Sequence, residues 1–226
     1  MAKVKKIRTR KFNFIKFILF VFFITVVFLG GKKLIKERIH SIIILNNYYL
    51  DESTIIEKAK IENYPSFILT SPYKIKNNIK KLDLVKDVKV KKKFWFSIEI
   101  DITENKVLYL TRSDGMYTLS NHKKIEGNFY NVPILINYVP SDIESKFIDG
   151  LSNIDNDIIN KISEIEYSST NYDNERFLLY MNDENCVYIT LSKLNNLNKY
   201  NEIKKKLEGH KGILYLDSGN YLEILE

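Results

Sequence analysis

An apolar run near the N-terminus constrains this chain more than any other feature. Residues 12–31 contain only three polar side chains, those of Asn13, Lys16 and Thr25. An α-helix rises about 1.5 Å per residue, so this run spans roughly 30 Å, the thickness of a bilayer's hydrocarbon core. The sequence therefore predicts a single transmembrane helix over residues 12–31. No small-x-small cleavage site follows the run, which favours a retained anchor over a cleaved signal peptide.

The basic residues that flank the run predict its orientation. Residues 1–16 carry seven basic side chains and no acid, whereas residues 32–40 carry four basic side chains and one acid. The flank richer in Lys and Arg usually stays in the cytoplasm. We therefore expect residues 1–11 to form a cytoplasmic basic tail and the bulk of the chain to lie outside the cell, as in a single-pass type II membrane protein.

The chain has a net charge of +7, and its excess of positive charge lies in residues 1–40, on either side of the apolar run. Residues 41–226 contain 24 basic and 27 acidic side chains, so this part of the chain is slightly acidic. Composition thus argues against nucleic acid as a partner. Cys186 is the single cysteine, which excludes an intrachain disulfide.

The segment after the membrane run predicts a small domain with the element order β-α-α-β-β. An apolar strand over residues 41–45 ends at Asn46-Asn47, a pair that tolerates left-handed backbone. A helix capped by Asp51 or by the Thr54–Glu57 capping box follows, and a second helix is expected over residues 73–82. Alternating apolar residues at 88–90 and 96–102 then predict a hairpin, which is followed by Glu104.

These residues resemble the POTRA domain of the FtsQ/DivIB family of bacterial cell-division proteins. The resemblance rests on the stretches IIILNN at 42–47, LVKDVKV at 84–90 and IEIDITE at 98–104, and on Leu50-Asp51 before the first helix. It implies a POTRA domain at 39–104 and a β domain at 105–226. Asn46 stands where the family usually has glycine, and the hairpin near Lys93-Phe94 lacks the family's proline.

The second unit predicts a mixed α/β domain with an antiparallel-rich sheet, so the fold class of the whole chain is α+β. Strands are expected at 107–110, 116–119, 133–136, 175–181, 186–191, 212–217 and 220–225. A broken amphipathic helical stretch is marked by Phe147, Leu151, Ile154, Ile158, Ile162 and Ile165. A further amphipathic helix carries Leu194, Leu197, Tyr200, Ile203 and Leu207 and ends at Gly209.

No constellation in the sequence predicts catalysis or a metal site. The three histidines, His40, His122 and His210, are far apart in polar contexts. Asp217-Ser218-Gly219 lacks the strand-turn-helix elbow of a nucleophilic serine, and a tight turn explains all three residues. We therefore predict a protein that is not an enzyme, with no cofactor, no catalytic residue and no small-molecule substrate.

The strand at 220–225 is a candidate sheet edge, since no residue after Glu226 would cover it; an interior or merely solvated strand fits the residues equally well. An exposed edge offers unpaired N–H and C=O groups to another chain. The family resemblance implies that the terminal strands dock an extended segment of an FtsB/DivIC-like protein, which is itself coiled with an FtsL-like protein. The matching positions are Tyr215, Asn220, Tyr221, Leu222 and Ile224, and we expect proline at Tyr221 or Leu222 to abolish docking.

The resemblance thus implies a non-enzymatic divisome scaffold at the septum that links membrane-anchored division proteins. One alternative is a membrane-anchored extracytoplasmic enzyme or cell-wall hydrolase, which needs a cleft with convergent titratable groups. Another is an outer-membrane or two-partner translocation protein, since POTRA domains also occur there. That alternative predicts tandem POTRA units or a long β-barrel sequence.

Overall fold

The computed structural model of the protein describes residues 13–219 and 221–225. Helix α1 (Phe14–Lys36) has 23 residues, none of them buried, and the Asn13 side chain caps its first turn by accepting from the Lys16 N–H. Within these described ranges α1 is the one helix long and apolar enough to cross a membrane, which supports the predicted single span. The basic tail expected at residues 1–11 lies outside the described residues.

The first unit after α1 has the predicted order β-α-α-β-β. Its three strands form a sheet of order β1-β3-β2, with β1 parallel and β2 antiparallel to the central strand β3. Both helices bury isoleucines against one face of this sheet, including Ile55, Ile75 and Ile79. The elements are β1 (Ser41–Leu45), α2 (Glu52–Ala59), α3 (Pro72–Ile79), β2 (Val85–Lys93) and β3 (Ser97–Glu104).

Of the two predicted starts of α2, Asp51 occupies the N-cap position and the capping box at Thr54 is wrong. The two carboxylate oxygens of Glu104 accept hydrogen bonds from the backbone N–H groups of Tyr49 (2.7 Å) and Leu50 (3.0 Å). These bonds fix the chain just before Asp51, which occupies the N-cap position with extended backbone, so Thr54 lies inside the helix. A contact between residues more than fifty positions apart thus overrides a local pattern.

Two backbone details of the first unit bear on the family resemblance. Asn46 adopts a φ of +62°, the left-handed conformation expected where the family has glycine, and its Nδ2 donates to Asp101 at 2.8 Å. The β2–β3 turn consists of residues 94–96, so Phe96, predicted to lie in the strand, belongs to the turn. Its ring packs edge-on against Phe67 at 5.4 Å.

The second unit is a single nine-stranded mixed sheet of order β12-β11-β10-β9-β8-β7-β4-β5-β6. Its helices cover a large core that includes the stacked rings of Phe147 and Phe177, whose centroids lie 4.0 Å apart. The strands are β4 (Val107–Thr111), β5 (Tyr117–Leu119), β6 (Lys124–Ile125), β7 (Ile134–Leu135), β8 (Ile162–Tyr167), β9 (Arg176–Met181), β10 (Cys186–Thr190), β11 (Lys211–Tyr215) and β12 (Tyr221–Leu225); the helices are α4 (Ser141–Ser152), α5 (Asn156–Ile159) and α6 (Tyr200–Lys204).

The helical prediction for Ile162 and Ile165 is wrong, because both lie in strand β8. A β-bulge explains the misleading spacing: Ile162 faces Met181 and Glu164 faces Tyr180, which leaves Ser163 as an extra residue. A bulge shifts the alternation of side chains by one position, so residues three apart reach the same face. Both isoleucines are therefore buried at helix-like spacing.

The predicted helix before Gly209 is mostly a 3₁₀ helix. Residues Leu191–Lys199 and Lys205–Leu207 are 3₁₀, and only α6 between them is α-helical. Leu191, Leu194, Leu197, Tyr200 and Ile203 recur every three residues, which is the period of a 3₁₀ helix. The segment ends as expected, with Glu208 and Gly209 at φ of +50° and +94°.

The two units are in direct contact through Tyr49, Asp83 and Leu84 on one side and Asn105, Lys123 and Phe129 on the other. The Tyr49 ring meets Phe129 edge-on at 5.5 Å, and Leu84 packs against the same small apolar cluster. The Lys123 ammonium pairs with Asp83 at 2.7 Å, and the buried Asn105 side chain donates to the Asp83 carbonyl at 2.9 Å. The chain therefore continues from one sheet to the next through a packed junction.

Candidate partner-binding edge

Strand β12 is the outermost strand of the nine-stranded sheet. It pairs with β11 in antiparallel register, with Tyr215 opposite Tyr221 and Lys211 opposite Leu225. Among residues 13–219 and 221–225, no strand pairs with the other side of β12. That side is a sheet edge of five residues.

Two hydrogen bonds show which way the backbone groups of β11 point. The Gly212 N–H donates to the Asn185 side-chain oxygen, and the Leu216 N–H donates to the Tyr188 carbonyl, both at 2.8 Å. Asn185 and Tyr188 lie just before and within β10. The even-numbered residues of β11 therefore face β10.

The backbone groups of β12 follow from this alternation. Since successive residues of a strand direct their N–H and C=O groups to opposite sides, the odd-numbered residues of β11 face β12. They pair with Tyr221, Glu223 and Leu225, whose backbone groups point inward. Leu222 and Ile224 consequently direct their N–H and C=O groups out of the sheet.

One face of β12 is anchored to the core. Leu222 packs against the core cluster and lies opposite the buried Leu214. Gly212 allows this close approach, because a Cβ there would lie 2.6 Å from the Glu223 carbonyl oxygen. Ile224, the next residue on this face, is 51% exposed.

The opposite face carries a row of three stacked tyrosines. Tyr188, Tyr215 and Tyr221 stand opposite one another on β10, β11 and β12, with centroid distances of 5.3 Å and 4.4 Å. The Arg176 guanidinium covers the inner end of the row, 3.8 Å from the Tyr188 ring centroid. Tyr215 donates to the Glu223 carboxylate at 2.9 Å, a bond that raises the pKa of Tyr215.

The turn before β12 is held by a mostly buried ion pair. Arg176 Nε lies 2.7 Å from Asp217 Oδ2, and the two side chains are 18% and 10% exposed. Lys193 Nζ also donates to the Asp217 carbonyl at 2.8 Å. Burial alone would raise the pKa of Asp217, but the hydrogen bonds from Arg176 and Ser218 outweigh it and hold that pKa below its usual range.

A shallow groove of about 250 Å³ runs beside β12. Lys199, Ile203 and Lys206 line it together with Leu214, Leu216 and Leu222. A strand added to β12 would direct alternate side chains toward this groove. The edge therefore combines open backbone groups with a lined recess.

Comparison with known proteins shows what the chain is similar to. Residues 37–105 match the model of the POTRA domain, FtsQ-type. Relatives named cell division protein DivIB match most of the chain: the protein of Listeria monocytogenes is 27% identical over 83% of this chain and 73% of its own length, that of Brevibacillus brevis 28% over 95% and 85%, and that of Bacillus subtilis 27% over 99% and 88%. The chain is similar to the FtsQ/DivIB proteins over most of its length.

The similarity to DivIB proteins supports a role in bacterial cell division, and α1 is long and apolar enough to cross a membrane. A solved structure, the major extracytoplasmic domain of the trans isomer of DivIB from Geobacillus stearothermophilus, matches 47% of this chain and 96% of that chain. The match has a TM-score of 0.38 and 20% sequence identity.

Four of the five residues that the FtsQ/DivIB resemblance implied lie together on the β11–β12 ribbon, namely Tyr215, Tyr221, Leu222 and Ile224. Asn220 lies outside the described residues. Sequence reasoning missed Tyr188 and Arg176, which extend the tyrosine row inward. No local pattern could reveal them, because their place depends on the parallel pairing of β10 with β11 across a long crossover.

Asp183 and His122 have ordinary structural partners. Asp183 accepts from the Tyr200 hydroxyl at 2.8 Å and pairs with Lys204 at 2.7 Å. His122 Nε2 and Asp149 Oδ1 lie 2.8 Å apart on the surface. Within the described part of the chain, no group of three or more His, Cys, Asp or Glu side chains is placed to hold a metal ion.

Proposed function

We propose that this FtsQ/DivIB protein is a non-enzymatic scaffold of the division complex that holds other membrane-anchored division proteins at the septum. Its partners would be an FtsB/DivIC-like protein, whose extended segment adds as a strand to β12, and an FtsL-like protein coiled with that partner. The observation that supports this proposal is the open edge of β12, with the backbone groups of Leu222 and Ile224 directed outward.

Strand addition divides affinity and selectivity between two kinds of contact. Backbone hydrogen bonds to Leu222 and Ile224 would supply affinity without regard to partner sequence. Side chains of the added strand would then meet the groove beside Leu222 on one face and the exposed ring of Tyr221 on the other. A partner with apolar residues at alternate positions fits this arrangement.

The proposal also places the N-terminus in the cytoplasm and both folded units outside the cell. Its support is the larger excess of basic residues before the membrane run. To test this, Cys186 is replaced by serine and Tyr172, a fully exposed loop residue, by cysteine. A membrane-impermeant maleimide should label this variant on intact cells, whereas labelling only after lysis would contradict the orientation.

The structure refines the expectation for proline substitutions on β12. Proline at Tyr221 would remove an N–H that faces β11 and would damage the protein's own sheet. Proline at Leu222 removes an outward N–H, but that side chain also anchors the strand to the core. Ile224 has an outward N–H and a half-exposed side chain. A substitution there therefore tests the outward backbone group with the least damage to the protein's own packing.

The decisive experiment compares Ile224→Pro with Ile224→Ala. Both variants lose the side chain, but only proline loses the outward N–H. We expect Ile224→Pro to weaken capture of the FtsB/DivIC-like segment by roughly tenfold or more relative to Ile224→Ala, as the loss of a backbone hydrogen bond requires. Binding is measured with the full chain in detergent micelles, and circular dichroism verifies folding. Equal affinity of two folded variants would refute strand addition at this edge.

A further inference from the structure

The tip of the β2–β3 hairpin lies at the membrane end of the first unit. Strand β1 runs parallel to β3, with Ser41 opposite Ser97. The turn at residues 94–96 immediately precedes β3, so it lies at the end of the sheet where the chain enters β1 from the membrane helix. Topology alone therefore brings this turn close to the end of α1.

Hydrogen bonds fasten the turn and a neighbouring loop to the segment that leaves α1. The His40 N–H donates to the Phe96 carbonyl at 2.9 Å, and the Phe67 N–H donates to the Glu37 carbonyl at 2.9 Å. The Ser66 hydroxyl donates to the carbonyl of Ile35, within the last turn of the helix. The loop at residues 65–70 and the hairpin tip thus form one surface around the helix end.

This surface exposes large apolar side chains that make few contacts within the protein. Phe94 is 93% exposed, Trp95 85% and Leu69 70%. Trp95 and Phe96 also have φ of +61° and +55°, a left-handed conformation that costs bulky residues about 1–2 kcal/mol each. Asparagine or glycine would form such a turn at less cost. Phe96 packs against Phe67, but neither packing nor turn geometry explains Phe94 and Trp95.

Lysines surround the apolar tip. Lys91 and Lys93 flank it on β2, where Lys93 also pairs with Glu99 at 3.0 Å. Lys32, Lys33 and Lys36 lie in the last turns of α1. Lys92 has a structural role instead: its ammonium donates to the Ile68 carbonyl at 3.1 Å and lies 4.8 Å from the Phe67 ring centroid. That bond joins the hairpin to the loop, while burial lowers the pKa of Lys92.

We propose that the tip formed by Phe94, Trp95, Ile68 and Leu69 inserts into the headgroup layer of the membrane that α1 spans. Tryptophan and other aromatic side chains favour this layer, and lysines beside it attract anionic lipid headgroups. Continuity selects lipid as the occupant, because the surface is hydrogen-bonded to the end of the transmembrane helix. The contact would hold the POTRA unit against the bilayer at a fixed orientation, and it does not depend on strand addition at β12.

Trp95 is the single tryptophan of the chain and therefore reports on its own environment. The full chain is reconstituted into liposomes of phosphatidylcholine with phosphatidylglycerol, with or without lipids brominated near the headgroup end of their acyl chains. We expect brominated lipid to quench Trp95 emission, and we expect acrylamide in the aqueous phase to quench it less than in the urea-unfolded chain. The protection should be stronger with phosphatidylglycerol than in phosphatidylcholine alone.

The control moves the tryptophan to another fully exposed site in the double variant Trp95→Phe and Tyr172→Trp. Brominated lipid should leave this variant unquenched. The proposal is overturned if Trp95 is quenched freely by acrylamide and not by brominated lipid, or if both tryptophans are quenched equally by brominated lipid. Lipid quenching of Trp95 that ignores phosphatidylglycerol would overturn the part assigned to the lysines.

Discussion

The outer strands β2 and β12 both leave unpaired backbone groups at a sheet edge, but they differ in how well that edge is protected against pairing with another strand. β2 carries five lysines among nine residues and a bulge between Val85 and Asp87, both of which discourage another strand from pairing. β12 reads YLEIL, with Glu223 as its single charged residue and a half-exposed Ile224. The comparison teaches that protection of sheet edges in this protein is selective, and that β12 lacks the devices that guard β2.

The largest expected effect comes from removing what holds the β12 turn in place. Arg176→Ala leaves the Asp217 carboxylate mostly buried without its partner and uncovers the tyrosine row. Breaking a buried ion pair in this way costs about 3 kcal/mol of unfolding free energy. Chemical denaturation of the chain in detergent micelles, followed by far-ultraviolet circular dichroism, measures the loss.

Arg112→Ala is the matched control for Arg176→Ala. Arg112 pairs with Glu164 at the same 2.7 Å distance, but both side chains are well exposed to solvent. Exposed pairs contribute about 1 kcal/mol or less to stability. Similar losses in the two variants would show that burial of the Arg176 pair does not anchor the edge.

A smaller loss is expected from Gly212→Ala, which pushes β12 away from β11. The new Cβ would lie 2.6 Å from the Glu223 carbonyl and 2.9 Å from a Leu207 methyl, so the strand must shift. Overpacking of this kind costs about 1–3 kcal/mol. Hydrogen exchange measured by mass spectrometry should show faster exchange at 211–225 and unchanged exchange at 97–104; unchanged exchange at 211–225 would contradict the close approach.

Adding a charge to the edge of β12 and removing one from the edge of β2 tests the comparison between these strands. Both changes should have little effect on stability. Ile224→Lys places on β12 the kind of charged side chain that protects β2. Lys89→Ile removes one such exposed charge from β2. Substitutions at such sites usually change stability by about 0.5 kcal/mol or less. We expect Ile224→Lys to lose partner capture and Lys89→Ile to self-associate more in analytical ultracentrifugation. An Ile224→Lys variant that binds normally would show that edge charge does not matter here.

The smallest expected effect is the pH dependence of stability that arises from Asp87 on β2. The hydrogen bond from Lys80 is the main reason that the pKa of Asp87 falls to about 2, and Lys76 adds a second positive charge. A depressed pKa stabilises the folded state above the ordinary carboxyl pKa, and this contribution is lost as pH falls toward 2. NMR titration of the Asp87 carboxyl should give a midpoint near 2, and Lys80→Ala should move it upward. A midpoint in the ordinary carboxyl range in the unmodified chain would contradict the pairing.

The sequence predicted those elements whose residues interact locally. The membrane helix, the β-α-α-β-β order and the β9–β10 hairpin follow from periodicity and turn residues, and the structure agrees. The left-handed backbone at Asn46 was also predictable, because few residues other than glycine and asparagine adopt it. The family resemblance brought Tyr215, Tyr221, Leu222 and Ile224 forward as candidates.

Long-range pairing explains what the sequence did not predict. The sequence left the start of α2 open between Asp51 and Thr54, and Glu104 holds the backbone just before Asp51. The tyrosine row depends on the register of β10 with β11. The bulge at Ser163 disguised a strand as a helix by shifting its alternation. The three-residue spacing of Leu191, Leu194 and Leu197 is the period of a 3₁₀ helix, but it also resembles the i, i+3 contacts of the amphipathic helix that was predicted.

The β11–β12 ribbon joins the rest of the sheet through a single parallel ladder of three residue pairs, from Cys186 to Tyr188. So short a connection allows the ribbon to open as a unit at a lower free energy than global unfolding. A partner that binds only the closed ribbon would reduce the open fraction by mass action. If the proposed partner binds there, the lifetime of the closed ribbon would therefore depend on the concentration of that partner.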